Sequence, residues 1–258
     1  MLDLKVIEQY FPQYLRVYKR NILREYLQYK ILDIIFSSEY GTKLIFMGGT
    51  AIRIVYDNTR FSEDLDFDNK GLSKDSFKDL SEIIRQKLLL EGYKVEVKVS
   101  FKEAYHIYIK FSEIFYELNI RPNPDEKLVL YIDAEAQNYV YKPDKKLINK
   151  FNYFMYVNVV PSDILLSQKI CAVFTRKRPQ GRDFYDIVFL SGFVKPSIEY
   201  LKKKLNIKDY SELKTKLLEK CALLNFKQLA KDVEAFLFNP SDSKKVLFFM
   251  DFVKKKDF

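Results

Sequence analysis

The chain has 258 residues, 48% hydrophobic and 31% charged, which suits one large domain or two small ones and argues against wholesale disorder. A single histidine, His106, excludes any metal site that needs two, and a net charge of +9 favours an anionic partner. The two cysteines, Cys171 and Cys221, sit singly in helix-like apolar patterns with no CxxC spacing and read as buried free thiols in a reducing compartment.

The N-terminal stretch Met1-Leu-Asp-Leu-Lys5 is charged and lacks the apolar run of a signal peptide. No segment approaches the roughly 20 apolar residues of a membrane span, so a cytoplasmic protein without a membrane partner is expected. Apolar positions from Tyr14 to Ile35 recur at the helical period and predict a helix over 13–38, opened by Pro12 after a short first helix. The run Lys43 to Met47 reads as a buried strand that stops at Gly48-Gly49, and Thr50 to Tyr56 resumes helical spacing. Alternation over Asp64-Leu-Asp-Phe67 predicts a strand.

Ser73 to Leu90 is an amphipathic helix with Ser73 as N-cap and Gly92 as its stop. Strand-like segments follow at 93–99, 105–111, 127–136 and 151–159, with Pro122 and Pro124 marking a turn. Beyond Pro161 the pattern is helical over 162–175, 183–191, 196–205, 209–224, 226–237 and 244–254. The expected organisation is therefore an α/β domain over 1–160 and a helical domain over 161–258.

On a strand, Asp64 and Asp66 point to the same face while Leu65 and Phe67 point to the other. Two carboxylates that close repel unless a positive charge sits between them, and hard oxygen ligands suit Mg²⁺ or Mn²⁺. Upstream, Gly48-Gly49-Thr50 lies between a strand and a helix, where glycine lets the backbone approach a phosphate and helix N–H groups are available. Arg60, four residues before Asp64, reads as a phosphate ligand, a brace for the acids or a surface arginine.

Together, Met47-Gly-Gly-Thr-Ala-Ile-Arg-Ile-Val-Tyr56 and Arg60-Phe-Ser-Glu-Asp-Leu-Asp-Phe67 resemble the first motif of the AbiEii-type nucleotidyltransferases of the polymerase-beta superfamily. Many of these are toxins of toxin–antitoxin and phage-defence systems. Lys127-Leu-Val-Leu-Tyr-Ile-Asp133 resembles the second motif and implies Asp133 as a third carboxylate beside Asp64 and Asp66; Glu135 shares its face and stays open as the alternative. Asp163 and Lys169 resemble the third motif, and Arg182, Asp183 and Asp186 the fourth, although Gln180 stands where a further basic residue is usual. The resemblance implies a polymerase-beta-like mixed sheet followed by helices that complete the nucleotide site.

It further implies Asp64, Asp66 and Asp133 as ligands of Mg²⁺ or Mn²⁺, with Gly48, Gly49, Thr50, Arg60, Lys169 and Arg182 on the phosphates. The third- and fourth-motif residues carry a physical signal of their own. Asp183 and Asp186 lie one helical turn apart. Asp186 and Lys169 sit in apolar runs where each needs a partner, either a ligand or a salt bridge between them. His106, among alternating apolar residues, reads as a strand-packing or surface residue.

The expected activity is transfer of a nucleoside monophosphate from an NTP. Residues 161–204 hold nine basic side chains against four acidic ones, which suits a nucleic-acid acceptor, and the resemblance points to tRNA and to a cognate antitoxin partner. A protein hydroxyl as acceptor and a non-catalytic binding role are the competing readings.

Overall fold

The computed structural model describes residues 3–102 and 104–258. Met1 and Leu2 of the charged N-terminal stretch lie outside the described residues. The chain forms two compact units, one built from residues up to Tyr56 with Phe61–Val160, the other from Asp57–Arg60 with Pro161–Phe258.

The first unit runs α1 (Leu4–Gln9), α2 (Lys19–Phe36), β1 (Leu44–Met47), α3 (Gly48–Tyr56), β2 (Leu65–Asn69), α4 (Lys74–Leu90), β3 (Val95–Phe101), β4 (Tyr105–Phe111), α5 (Ile114–Glu117), β5 (Leu128–Glu135), β6 (Asp144–Lys150) and β7 (Tyr153–Val159). Its strands form one mixed seven-stranded sheet in the order β3-β4-β5-β2-β1-β7-β6. The pairs β1–β7 and β2–β5 are parallel, and the other neighbours are antiparallel.

One face of this sheet is apolar because every second residue is. Ile107, Ile109 and Phe111 of β4 pair with Ile132, Leu130 and Leu128 of β5, and all six are buried. The Phe77 ring of α4 lies over Tyr105 and Phe101 on that side, at 5.4 and 6.2 Å between centroids. The intervening residues, among them His106, Tyr108, Tyr131 and Asp133, carry polar groups on the opposite and more open face.

The helix expected over 13–38 is shorter than its periodicity suggests. Gln13–Leu15 forms one 3-10 turn, and α2 begins only after Tyr18, whose ψ of 49° interrupts the helical path. The Ser73 cap forms as expected, with Ser73 Oγ accepting from the Ser76 N–H at 3.1 Å. Strand β6 has no counterpart among the expected elements. Its sequence, Asp-Lys-Lys-Leu-Ile-Asn-Lys, is that of a charged edge strand with little apolar alternation to announce it.

A buried ionic cluster fixes α3 to α2. Arg53 donates through Nε and Nη2 to both oxygens of Glu25, each at 3.0 Å, and Lys150 Nζ adds a third contact at 2.9 Å. Burial pushes the Glu25 carboxyl up, but Arg53 and Lys150 outweigh it and hold the group below its ordinary value.

The second unit comprises α6 (Ser162–Thr175), α7 (Gly181–Leu190), α8 (Ile198–Leu205), α9 (Tyr210–Ala222), α10 (Phe226–Glu234), α11 (Lys244–Leu247) and α12 (Phe249–Lys255). Gly181 lets α7 abut α10, since a Cβ there would collide with the Leu229 carbonyl. Phe184, Phe226 and Phe249 form its aromatic centre, with Phe184 and Phe249 edge to face at 4.9 Å. Both cysteines are free, and burial pushes each thiol up to about 12. No helix among the described residues is long and apolar enough to cross a membrane.

Candidate active site

The first-motif residues meet where β1 ends against β2. Met47 is level with Asp66 in that antiparallel pair, so the next residue, Gly48, lies against the Asp66 carboxylate. Glycine is required twice over: its φ is +77°, and a Cβ would collide with the carboxylate. Thr50 is expected on the phosphates, and its hydroxyl is committed elsewhere. Thr50 is fully buried, and its hydroxyl donates to the Asp64 carbonyl, tying the first turn of α3 to the residue that precedes β2. Gln28 of α2 braces the same segment by donating to the Ser62 and Glu63 carbonyls at 3.0 Å each.

Strand pairing brings the distant acids together. Asp66 is level with Asp133 across the parallel pair β2–β5, and level neighbours in adjacent strands point to one face. Asp64 lies one residue before the start of β2. Glu135, the alternative third acid, is instead level with Asp68. Asp68 continues the same alternation but is closed off. It is fully buried, accepting from the Gln137 N–H at 2.9 Å and the Tyr141 hydroxyl at 2.5 Å, and paired with Lys70 Nζ at 2.7 Å. The register therefore favours Asp133 over Glu135 as the companion of Asp66.

His106, expected as a strand-packing or surface residue, has a polar partner as well. It is level with Asp133 across β4–β5, and its Nδ1 lies 2.6 Å from Asp133 Oδ1. Its side chain is 23% exposed and that of Asp133 38%. No local pattern announces the contact, because the register of β4 on β5 sets it.

Among the described residues, no three Asp, Glu, His or Cys side chains are placed so that together they could hold a metal ion. By type, Asp66 and Asp133, level on adjacent strands, are oxygen donors that suit a hard divalent cation, and Asp64 adds a third carboxylate just before β2.

The third- and fourth-motif residues assemble in the helical unit. The expectation of Arg60 as a phosphate ligand is corrected, because it is fully buried and offers no surface to an anion. Its Nε and Nη2 donate to the two oxygens of Asp186, both at 2.6 Å, and Asn58 Nδ2 donates to Asp186 Oδ1 at 2.8 Å. Lys169 Nζ of α6 lies 3.0 Å from Asp186 and 3.1 Å from Asp183, and Arg176 Nε lies 2.9 Å from Asp183. Asp183 and Asp186 share one face of α7, one turn apart, which lets a single ammonium bridge them.

Burial pushes the Asp186 carboxyl up, but Arg60 and Lys169 outweigh it and hold it low. Burial likewise works against the Arg60 charge, and Asp186 more than restores it. Arg182 is half-buried, its Nε donating to Gln180 Oε1 at 2.7 Å and its guanidinium 5.8 Å from the Phe236 ring centre. The residue at the place of a usual basic side chain thus orients the arginine that follows. Asp163 lies in the first turn of α6. It is six residues from Lys169 and so on a different face of that helix. Asn58 and Arg176 join the cluster without any signal in their local sequence.

A sequence model of the family described as "Nucleotidyl transferase AbiEii toxin, Type IV TA system" matches residues 30–244. Among solved structures, the chain is similar to a putative nucleotidyltransferase from H. pylori, at 14% identity and a TM-score of 0.57, covering 91% of this chain and 94% of that one. It is also similar to JHP933 from Helicobacter pylori, at 16% identity and a TM-score of 0.55, covering 91% and 92%. At that identity the likeness is one of fold. No curated protein matches the chain.

Proposed function

The chain belongs to the AbiEii nucleotidyltransferase toxin family of type IV toxin–antitoxin systems, and from that premise we propose that it transfers a nucleoside monophosphate from an NTP to the end of an RNA, with tRNA as the preferred acceptor. The observation that carries this reading is the level placement of Asp66 and Asp133 on one open sheet face, beside a glycine turn that opens α3.

Asp64 and Asp66 would hold Mg²⁺ or Mn²⁺, with Asp133 as the third ligand on the acceptor side. A divalent ion bound there supplies neutralisation of the polyphosphate and alignment of the attacking oxygen. The backbone around Gly48 and Gly49 accepts the phosphates, using N–H groups at the start of α3 that have no partner within the helix. Thr50 acts through Asp64, fixing the backbone from which that carboxylate projects.

In the helical unit, Arg60, Lys169, Asp183 and Asp186 serve as a buried brace rather than as phosphate ligands, since their charges are spent on one another. Arg182 stays an anion-binding candidate, and the lysine-rich helices suit an RNA backbone. As a member of a toxin family of two-component systems, the protein implies an antitoxin partner.

Incubation with each labelled NTP, in the presence of tRNA and of bulk protein, tests the reading. Label in the tRNA supports it, label in protein replaces it with protein nucleotidylation, and label in neither contradicts both.

A further inference from the structure

We propose that His106 is a positioning residue for Asp133, holding one carboxylate oxygen so that the other is presented to a divalent cation. The proposal rests on the nucleotidyltransferase reading and adds a residue that no motif of the family, as met in this sequence, includes. In the sheet order β4-β5-β2, Asp133 stands between His106 on one side and Asp66 on the other. Two carboxylates level on adjacent strands repel, and an untethered Asp133 would swing away from Asp66.

His106 supplies the tether from the far side. Its Nδ1 lies 2.6 Å from Asp133 Oδ1, and a carboxylate can only accept, so Nδ1 is the protonated nitrogen. Oδ1 is thus held towards β4, and Oδ2 is the oxygen left for the cation beside Asp66. The imidazole is itself held in a row of rings. It lies 6.1 Å from Tyr108, which stands edge to face on Tyr131 at 5.4 Å. A hydrogen-bond partner of a ligating side chain that fixes its orientation is worth about 10- to 100-fold in metal affinity.

The amide nitrogen of asparagine branches from the same position as histidine Nδ1, whereas that of glutamine reaches one atom further. His106→Asn therefore restores the donor, and His106→Gln displaces it at a similar generic cost to the strand. Mn²⁺ binding to the full chain is measured by calorimetry for wild type, His106→Ala, His106→Asn and His106→Gln, alongside the kcat and KM of labelled-nucleotide transfer. The alanine and glutamine variants should bind Mn²⁺ at least about 10-fold more weakly. Their kcat should fall while KM for the NTP holds, and the asparagine variant should recover most of both losses.

Unchanged Mn²⁺ affinity in His106→Ala, or an asparagine variant as weak as the glutamine one, overturns the proposal and leaves the nucleotidyltransferase reading standing. Wild-type protein that neither binds Mn²⁺ nor transfers label overturns both.

Discussion

Asp66 and Asp133 lie level with one another on the parallel strands β2 and β5, far apart in the chain but neighbours in the sheet. Like charges so placed destabilise a sheet unless a proton or cation comes between them. The proposed chemistry places a cation between them, and the surrounding residues make testable demands.

Gly48→Ala is predicted to be more damaging than its size suggests. Alanine at φ +77° costs roughly 1–2 kcal/mol, and its methyl group would displace the Asp66 carboxylate. Nucleotidyl transfer should fall further than a denaturation midpoint would indicate. Gly92→Ala, also at positive φ but in open space, should lose stability only.

Breaking the Arg60–Asp186 pair should unfold the helical unit more readily. Removing one partner of a fully buried bidentate ion pair typically costs about 3–5 kcal/mol, because the other charge is left uncompensated. Arg60→Met and Asp186→Leu should each lower the urea midpoint sharply, while the double variant should recover much of the loss. A double variant no better than the worse single one would show that the pair is not the unit of stability.

Acid should destabilise the protein in a defined window. Glu25 and Asp186 both have folded-state values held below their ordinary 4.5 and 3.8. As pH falls, the unfolded chain therefore takes up these protons first, and stability drops. Their contribution is fully present above about pH 5.5 and is lost progressively below it. Urea midpoints at pH 7, 5.5, 4.5 and 3.5 should be level over the first two and fall over the last two. Arg53→Met should flatten part of that decline.

The parts of this structure that were legible in the sequence are those set by short-range periodicity. The Asp64-Leu-Asp-Phe67 alternation, the Gly48-Gly49 stop and the Ser73 cap all speak within a few residues of themselves. Strand β6 was silent because a lysine-rich edge strand carries little apolar alternation. The His106–Asp133 contact and the Arg60–Asp186 pair depend on which strands and helices become neighbours, which the local pattern does not specify. Arg60 misleads for the same reason. Beside the acids in sequence it reads as a phosphate ligand, yet the segment Asp57–Arg60 packs with the helical unit.

If the acceptor is RNA held through its phosphates, affinity should fall steadily with salt. A log–log plot of tRNA affinity against salt should be linear, with a slope of about −0.7 to −0.9 per phosphate contact. Replacing Lys202, Lys203 and Lys204 of α8 should reduce the slope. Salt-independent binding would remove the phosphate-contact account of the basic surface.

The central claim is that Asp64, Asp66 and Asp133 together form the centre of nucleotidyl transfer. Its most direct test is transfer of α-labelled NTP to tRNA by wild type, Asp64→Asn, Asp66→Asn and Asp133→Asn, each checked for an unchanged melting profile. Loss of cation-held charge stabilisation, worth several kcal/mol, predicts a fall of at least about 100-fold in each variant. Wild-type rates in a folded Asp66→Asn protein would contradict the account.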